Sequence, residues 1–230
     1  MRSSRSSEAT DRKPAGRFDL TAIEADLRAL QREFPHINPQ LRDRRDPISD
    51  TVIENMMTGY AYVDELVAEQ LDIFAMGNLK HLLELNCRVL CGVGEAERRD
   101  SAEHLRAVEE RFYNAPGAGI RHIVEWYEVR RGQSAWKLAA GVYIRVLSEP
   151  QLFIEGNHRS GALIVSYLLA RDGKPPFVLT PANACEFFDP SSLIKKIDKR
   201  QFLANFRIPH LKERFARFLK QQSDDTYLRR

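Results

Sequence analysis

Cysteine is scarce in this sequence, and what there is does not pair up: Cys87, Cys91 and Cys185 are the only three. An odd number without zinc-type spacing argues against a disulfide framework and against a structural zinc. Cys87 and Cys91, four apart in a helical pattern, read as small core residues of a reducing compartment. Long apolar runs are missing too. No stretch of about 18 apolar residues exists to cross a bilayer, and the first residues lack the apolar core of a secretory signal. A cytoplasmic location and no membrane partner are the expectations. A surplus of one charge is also absent: the net charge is +3, with both signs interspersed. Composition therefore carries no nucleic-acid footprint, and nucleic acid is not expected as a partner. The most basic segment, Lys195 to Lys220, has nine Lys/Arg against Asp198 and Glu213. It is a solvated helical face or a docking face for an acidic partner.

What is present suffices for one sizeable core: 230 residues, 43% of them apolar. Residues 1–17 (MRSSRSSEATDRKPAGR) have almost nothing to bury and read as a disordered basic tail. One domain is expected over 18–222, followed by a short tail at 223–230.

Helical periodicity dominates the rest. Leu20, Ile23, Leu27, Leu30 and Phe34 make an amphipathic stripe that Pro35 should stop. NPQLRDRRDPISD (38 to 50) reads as a loop feeding a short helical segment, TVIENMM, punctuated by Thr58-Gly59. Tyr60 to Phe74 fits a helix. Met76 to Leu90 fits another, which ends at Gly92. Asp100 with Glu103 has the form of a cap opening a helix through Leu105, Val108 and Phe112. IRHIVEWYEVRRG (120 to 132) fits a helix or a half-buried strand. Trp136 to Leu147 is helical, and ALIVSYLLA (162 to 170), apolar almost all round, suits a helix surrounded by others. Leu203 to Phe206 and Leu211 to Leu219 supply the last helices. The fold class expected is all-α, with at most a small β-hairpin.

Between two of these helices lies FIEGNHR (153 to 159), a connection with an unusual share of chemistry. A helix beginning here offers unbonded backbone N–H groups and the positive end of its dipole. Gly156 and Asn157 tolerate the conformations of an anion-binding nest. Arg159 can add a charge-assisted contact to phosphate, and Glu155 is a hard oxygen ligand suited to Mg²⁺. The same four residues also suit an ordinary helix boundary with a surface ion pair.

QLFIEGNHRSGA (151 to 162) resembles the signature loop of the Fic family, His-Pro-Phe-x-(Asp/Glu)-Gly-Asn-Gly-Arg-x-x-Arg. Phe153, Glu155, Gly156, Asn157 and Arg159 match in register. About 100 residues upstream, DTVIENMMT (50 to 58) resembles that family's inhibitory-helix pattern (Ser/Thr)-x-x-x-Glu-(Gly/Asn). Glu54 and Asn55 match it, and Asp50 stands where the hydroxyl residue would be. The resemblance covers roughly 45–185. It implies a helical bundle and transfer of AMP from ATP·Mg²⁺ to a hydroxyl of a target protein. It further implies that Phe153 anchors the loop, Glu155 holds the metal, and Gly156, Asn157 and Arg159 receive phosphate. Glu54 and Asn55 would be regulatory. A homodimer is compatible with the family, and 120–132 takes the place of a target-positioning flap.

Three departures accompany the match. Gln151 occupies the position of the general-base histidine, and a neutral amide cannot take a proton near pH 7. His158 replaces a glycine, where it could contact phosphate, face away, or act as a displaced base. Ala162 replaces the second arginine, so Glu54 must pair with Arg159 or with nothing. Two functions stay open: an AMP transferase of altered efficiency, and an inactive domain that senses a nucleotide or binds a protein.

Overall fold

The computed structural model describes residues 16–117, 119–201 and 204–229, without the side chains of 204 and 205. Ten α-helices form the described chain: α1 Leu20–Ile37, α2 Asp50–Ala68, α3 Lys80–Cys91, α4 Glu95–Asp100, α5 Ala102–Asn114, α6 Ile120–Arg130, α7 Ala135–Leu147, α8 Asn157–Arg171, α9 Ala184–Lys195 and α10 Ala204–Gln221. No strand occurs among the described residues; only isolated bridges join Phe18 to Leu228 and Glu149 to Asp198. The fold is all-α. The open choice at 120–132 resolves as helix α6, which buries Ile120, Ile123, Val124, Trp126 and Tyr127.

α8 is the centre. Every residue from Ser160 to Ala170 is buried, with α7, α2 and α3 packed around it and α10 covering α7. This is the environment that an all-round apolar helix requires. The core falls into two clusters. The larger is built around α2, α3, α7 and α8. The smaller joins Leu30, Phe34, Ile37, Leu41 and Ala184, and Ile48, Leu179 and Phe188 pack against both.

Several helix limits differ from the periodicity. Pro35 does not stop α1, which runs to Ile37 because Ile37 is held in the smaller cluster and the break falls in the last turn. Thr58-Gly59 does not interrupt α2. A Cβ at position 59 would sit 2.3 Å from Leu163 of α8, so the glycine marks a close helix crossing. α2 stops at Ala68 rather than near Phe74. Gln70 takes a positive φ, and the chain beyond it is tied to α8: the Ile73 N–H donates to the Tyr167 hydroxyl, which donates to the Leu71 carbonyl. Asp100 caps nothing. It ends the short α4, and the backbone continues through Ser101 into α5, with the Ser101 N–H on the Glu97 carbonyl. Helix α9 was hidden in a stretch of mixed pattern.

The two ends of the domain meet. Arg17 donates to the buried Asp64 carboxylate, and so does the Phe18 N–H. The stretch expected as a tail at 223–230 carries Tyr227, which is buried and donates its hydroxyl to Asp26. Residues 1–15 of the expected N-terminal tail lie outside the described residues. Among the described residues no helix is long and apolar enough to cross a membrane.

Candidate functional site

Phe153, the anchor, is fully buried and stacks on Phe112 of α5, with ring centroids 5.6 Å apart. Asn157 closes the loop upon itself. Its Oδ1 accepts from the Phe153 N–H at 2.9 Å, and its Nδ2 donates to the Phe153 carbonyl at 2.9 Å and to Gln151 Oε1 at 3.3 Å. Gln151 in turn donates from Nε2 to the Leu147 carbonyl at 3.1 Å. Its own carbonyl accepts from the Arg111 guanidinium at 2.7 and 3.1 Å. Next to it, Lys199 donates to the Pro150 and Arg145 carbonyls; burial lowers its pKa to about 8. The amide groups of Gln151 and Asn157 are thus both engaged in shaping the loop.

Gly156 takes φ +74°, the left-handed region. A Cβ there would meet Asn86 Nδ2 of α3 at 2.9 Å and the Leu90 and Val89 side chains at 3.2 Å. Glycine is required twice over, by conformation and by the approach of α3. Asn86 secures that approach by donating to the Glu155 carbonyl and to Ser160 Oγ. The first intrahelical bond of α8 runs from the Ser160 N–H to the Gly156 carbonyl at 2.9 Å. The N–H groups of 156–159 consequently have no partner among the described residues.

Glu155 stands beside these N–H groups with its side chain 57% exposed; Oε1 lies 2.9 Å from His104 Nε2 of α5. That approach lacks hydrogen-bond alignment, and Nε2 has no bonded partner, so the contact is Coulombic only when the imidazole is charged. Among the described residues no group of three or more His, Cys, Asp or Glu is gathered as a metal site. A single half-exposed carboxylate fits Mg²⁺ that takes its other ligands from phosphate and water. It does not fit a metal held by protein alone. Arg159 donates through Nη1 to the Val89 carbonyl at the end of α3. Burial lowers its pKa, and the Glu155 carboxylate opposes that shift.

His158 turns elsewhere. Its Nε2 faces Arg45 Nη1 at 3.1 Å, and its Nδ1 faces the Tyr143 hydroxyl at 3.2 Å. A guanidinium only donates, so Nε2 accepts and Nδ1 carries the hydrogen. The chain then runs one way: Nδ1–H to Tyr143, Tyr143 to Ser191 Oγ at 2.8 Å, and Ser191 to the Phe187 carbonyl at 2.6 Å. Burial, then the charges of Arg45 and Lys195, lower the His158 pKa to about 3. The imidazole is neutral, and its one basic nitrogen is engaged.

Glu54 does not pair with Arg159. It is exposed on α2, with no ion pair or hydrogen bond among the described residues. Asn55 is buried and its side-chain oxygen lies against Gly92. Asp50, where the pattern has a hydroxyl residue, pairs with Arg28 at 2.6 Å. Structure thus brings together Gln151, Glu155, Gly156, Asn157 and the base of Arg159, turns the His158 side chain toward Arg45, and shows no hydrogen bond or ion pair from Glu54 or Asn55 to any of them among the described residues. Arg45, Asn86, His104, Arg111 and Tyr143, which the sequence did not single out, complete the surroundings. Arg45 comes from the charged run 42–46 and carries no local signal of its role.

Beside the first two turns of α8 is a cleft of about 320 Å³. α1, α2, α8, α9 and the segment 45–48 line it, with Arg45, His158 and Arg159 on its border. Compared with protein-family models, with curated proteins and with solved structures, the chain gives no match.

Proposed function

We propose that this chain is a Fic-like domain that binds the phosphate group of a nucleotide, ATP with Mg²⁺ in the first instance, at the amino-terminal end of α8. In this proposal AMP transfer to a target-protein hydroxyl is slow or absent. The observation that carries the reading is the set of consecutive unbonded N–H groups at 156–159, at the start of a 15-residue helix. That is the arrangement in which a helix terminus receives an anion. Glu155 beside it supplies the oxygen for a phosphate-bridging Mg²⁺. Arg111 and Lys199, bonded to the loop carbonyls of 151 and 150, add positive charge nearby.

The reading of slow or absent transfer rests on the bases. Gln151 has no basicity, and its amide is bonded to Leu147 and Asn157. His158 holds its lone pair toward Arg45. Neither is available to take a proton from an attacking hydroxyl.

Calorimetric titration with ATP·Mg²⁺ and ADP, in parallel with label transfer from ATP marked at the α-phosphate, tests both halves. Saturable binding with no label is expected. Gln151→His should then raise self-labelling by about 10²-fold or more, the lower end of what a general base contributes. Absence of nucleotide binding overturns the proposal. Strong labelling by the unaltered chain overturns its catalytic half.

A further inference from the structure

We propose that the cleft between α1, α2, α8 and α9 binds a small amphiphilic carboxylate, an apolar body of roughly ten heavy atoms with its anionic head on Arg45. The cleft lies where the two clusters of the core meet. Leu27, Ile53 and Met56 belong to the larger and Leu30 and Phe34 to the smaller, and all of them line it. Open to solvent on one side, the cleft has about 320 Å³ between apolar walls, a size that small-molecule sites use, from about 300 Å³ upward. At about 30 Å³ per water it is equivalent to about ten waters.

Charge at its border specifies the head. Arg45 has no carboxylate in ion-pair contact among the described residues. Its guanidinium lies 5.3 Å over the Phe188 ring, donates to Ser192 Oγ at 2.7 Å, and faces a neutral imidazole nitrogen. Two of its five N–H donors are used, and Nε–H is buried without a partner. Arg159, the second guanidinium on the border, has among the described residues only the Val89 carbonyl as a hydrogen-bond partner. Asp46, the one acid of the lining, is exposed. The Glu155 carboxylate acts on Arg159 and the Asp43 carboxylate, paired with Lys196, on Arg45, so the positive charge left for a ligand is small and suits a singly charged head, to which the planar fork of Arg45 can present its spare donors.

Arg45 is also held in place beforehand. Its backbone N–H and carbonyl are both bonded at 2.8 Å to the Asn38 side chain. The cleft adjoins the phosphate proposal: Glu155, Gly156 and Asn157 do not line it, whereas His158 and Arg159, whose backbone N–H groups belong to that proposal, do.

Decanoate, 1-decanol and decyl phosphate titrated into the full chain by calorimetry decide the matter. Decanoate should bind saturably, one per chain, at least about tenfold tighter than the uncharged alcohol, and tighter than the phosphate, whose second charge costs more to desolvate than the small positive charge here returns. Arg45→Gln should weaken it about 10- to 100-fold, as loss of a charge-assisted bond does. Val52→Trp, at a half-exposed position of the lining, should block it with Arg45 intact, circular dichroism confirming the fold. Should Arg45→Gln fail to fold, the head-group series and Val52→Trp carry the decision. No saturable decanoate binding, equal affinity for the alcohol, tighter binding of the phosphate, or indifference to Arg45→Gln in a folded variant each overturns the proposal.

Discussion

His158 and Asn157 are neighbours with opposite destinations, because successive residues of a helix point about 100° apart. Asn157 folds back on Phe153 and Gln151, whereas His158 enters the contact between α7, α9 and the segment bearing Arg45. The groups facing it are Arg45, Tyr143 of α7 and Lys195 of α9. Its folded pKa of about 3 lies below the ordinary 6.5. Between those values the unfolded chain binds a proton that the folded chain does not. Stability contributed by the neutral state is therefore complete above about pH 6.5 and falls with acidification at about 1.4 kcal/mol per pH unit, until the folded pKa is reached. From pH 7 to 5 the native chain should lose about 2 kcal/mol more than His158→Gln does. Urea unfolding of both at the two pH values measures the difference, and equal losses would refute the assignment. The residue type and position of His158 were legible in the sequence. Its direction was not, since Arg45 is more than a hundred residues away.

At the scale of elements, the crossing of α2 and α8 controls what lies around the candidate site. Ser49 caps α2 by accepting from the Val52 N–H, and the helix then buries Ile53, Met56, Gly59 and Tyr60 on the side facing α8. Glu54 falls on the other side. Periodicity alone placed an apolar stripe here and misread Gly59 as a stop, because a glycine demanded by a neighbouring helix is identical in sequence to one that breaks a helix. Gly59→Val should cost about 1–3 kcal/mol by overpacking against Leu163, despite the better helix propensity of valine. Urea denaturation is the measurement, and a neutral or stabilising outcome would show that Leu163 yields freely.

At the scale of the whole molecule, residues 17–19 and 227–229 close the domain against each other. The Asp19 N–H donates to the Tyr227 carbonyl, and the Arg229 N–H donates to the Arg17 carbonyl. Tyr227 is 3% exposed, and its hydroxyl proton is held harder by burial and by Asp26. Tyr227→Ala should therefore destabilise the domain by about 3 kcal/mol or more, read as a lower denaturation midpoint with unchanged slope. A loss below about 1 kcal/mol would mean that the 224–229 stretch is only loosely docked. Composition suggested a tail because the segment has few apolar residues, and a single tyrosine gives no periodicity to detect.

The sequence by itself determined the all-α class, the core identity of the 162–170 segment, and the glycine-asparagine turn at the head of α8. These follow from local rules: apolar period, helix-end chemistry, and the conformations open to glycine. The tertiary structure alone decided which side chains meet. It tied the Gln151 and Asn157 amides into the loop, carried His158 to Arg45, left Glu54 apart from Arg159, and opened the cleft between the two clusters. Each of those outcomes depends on contacts between segments far apart in the chain, where side-chain direction and helix crossing, rather than spacing, determine the partner.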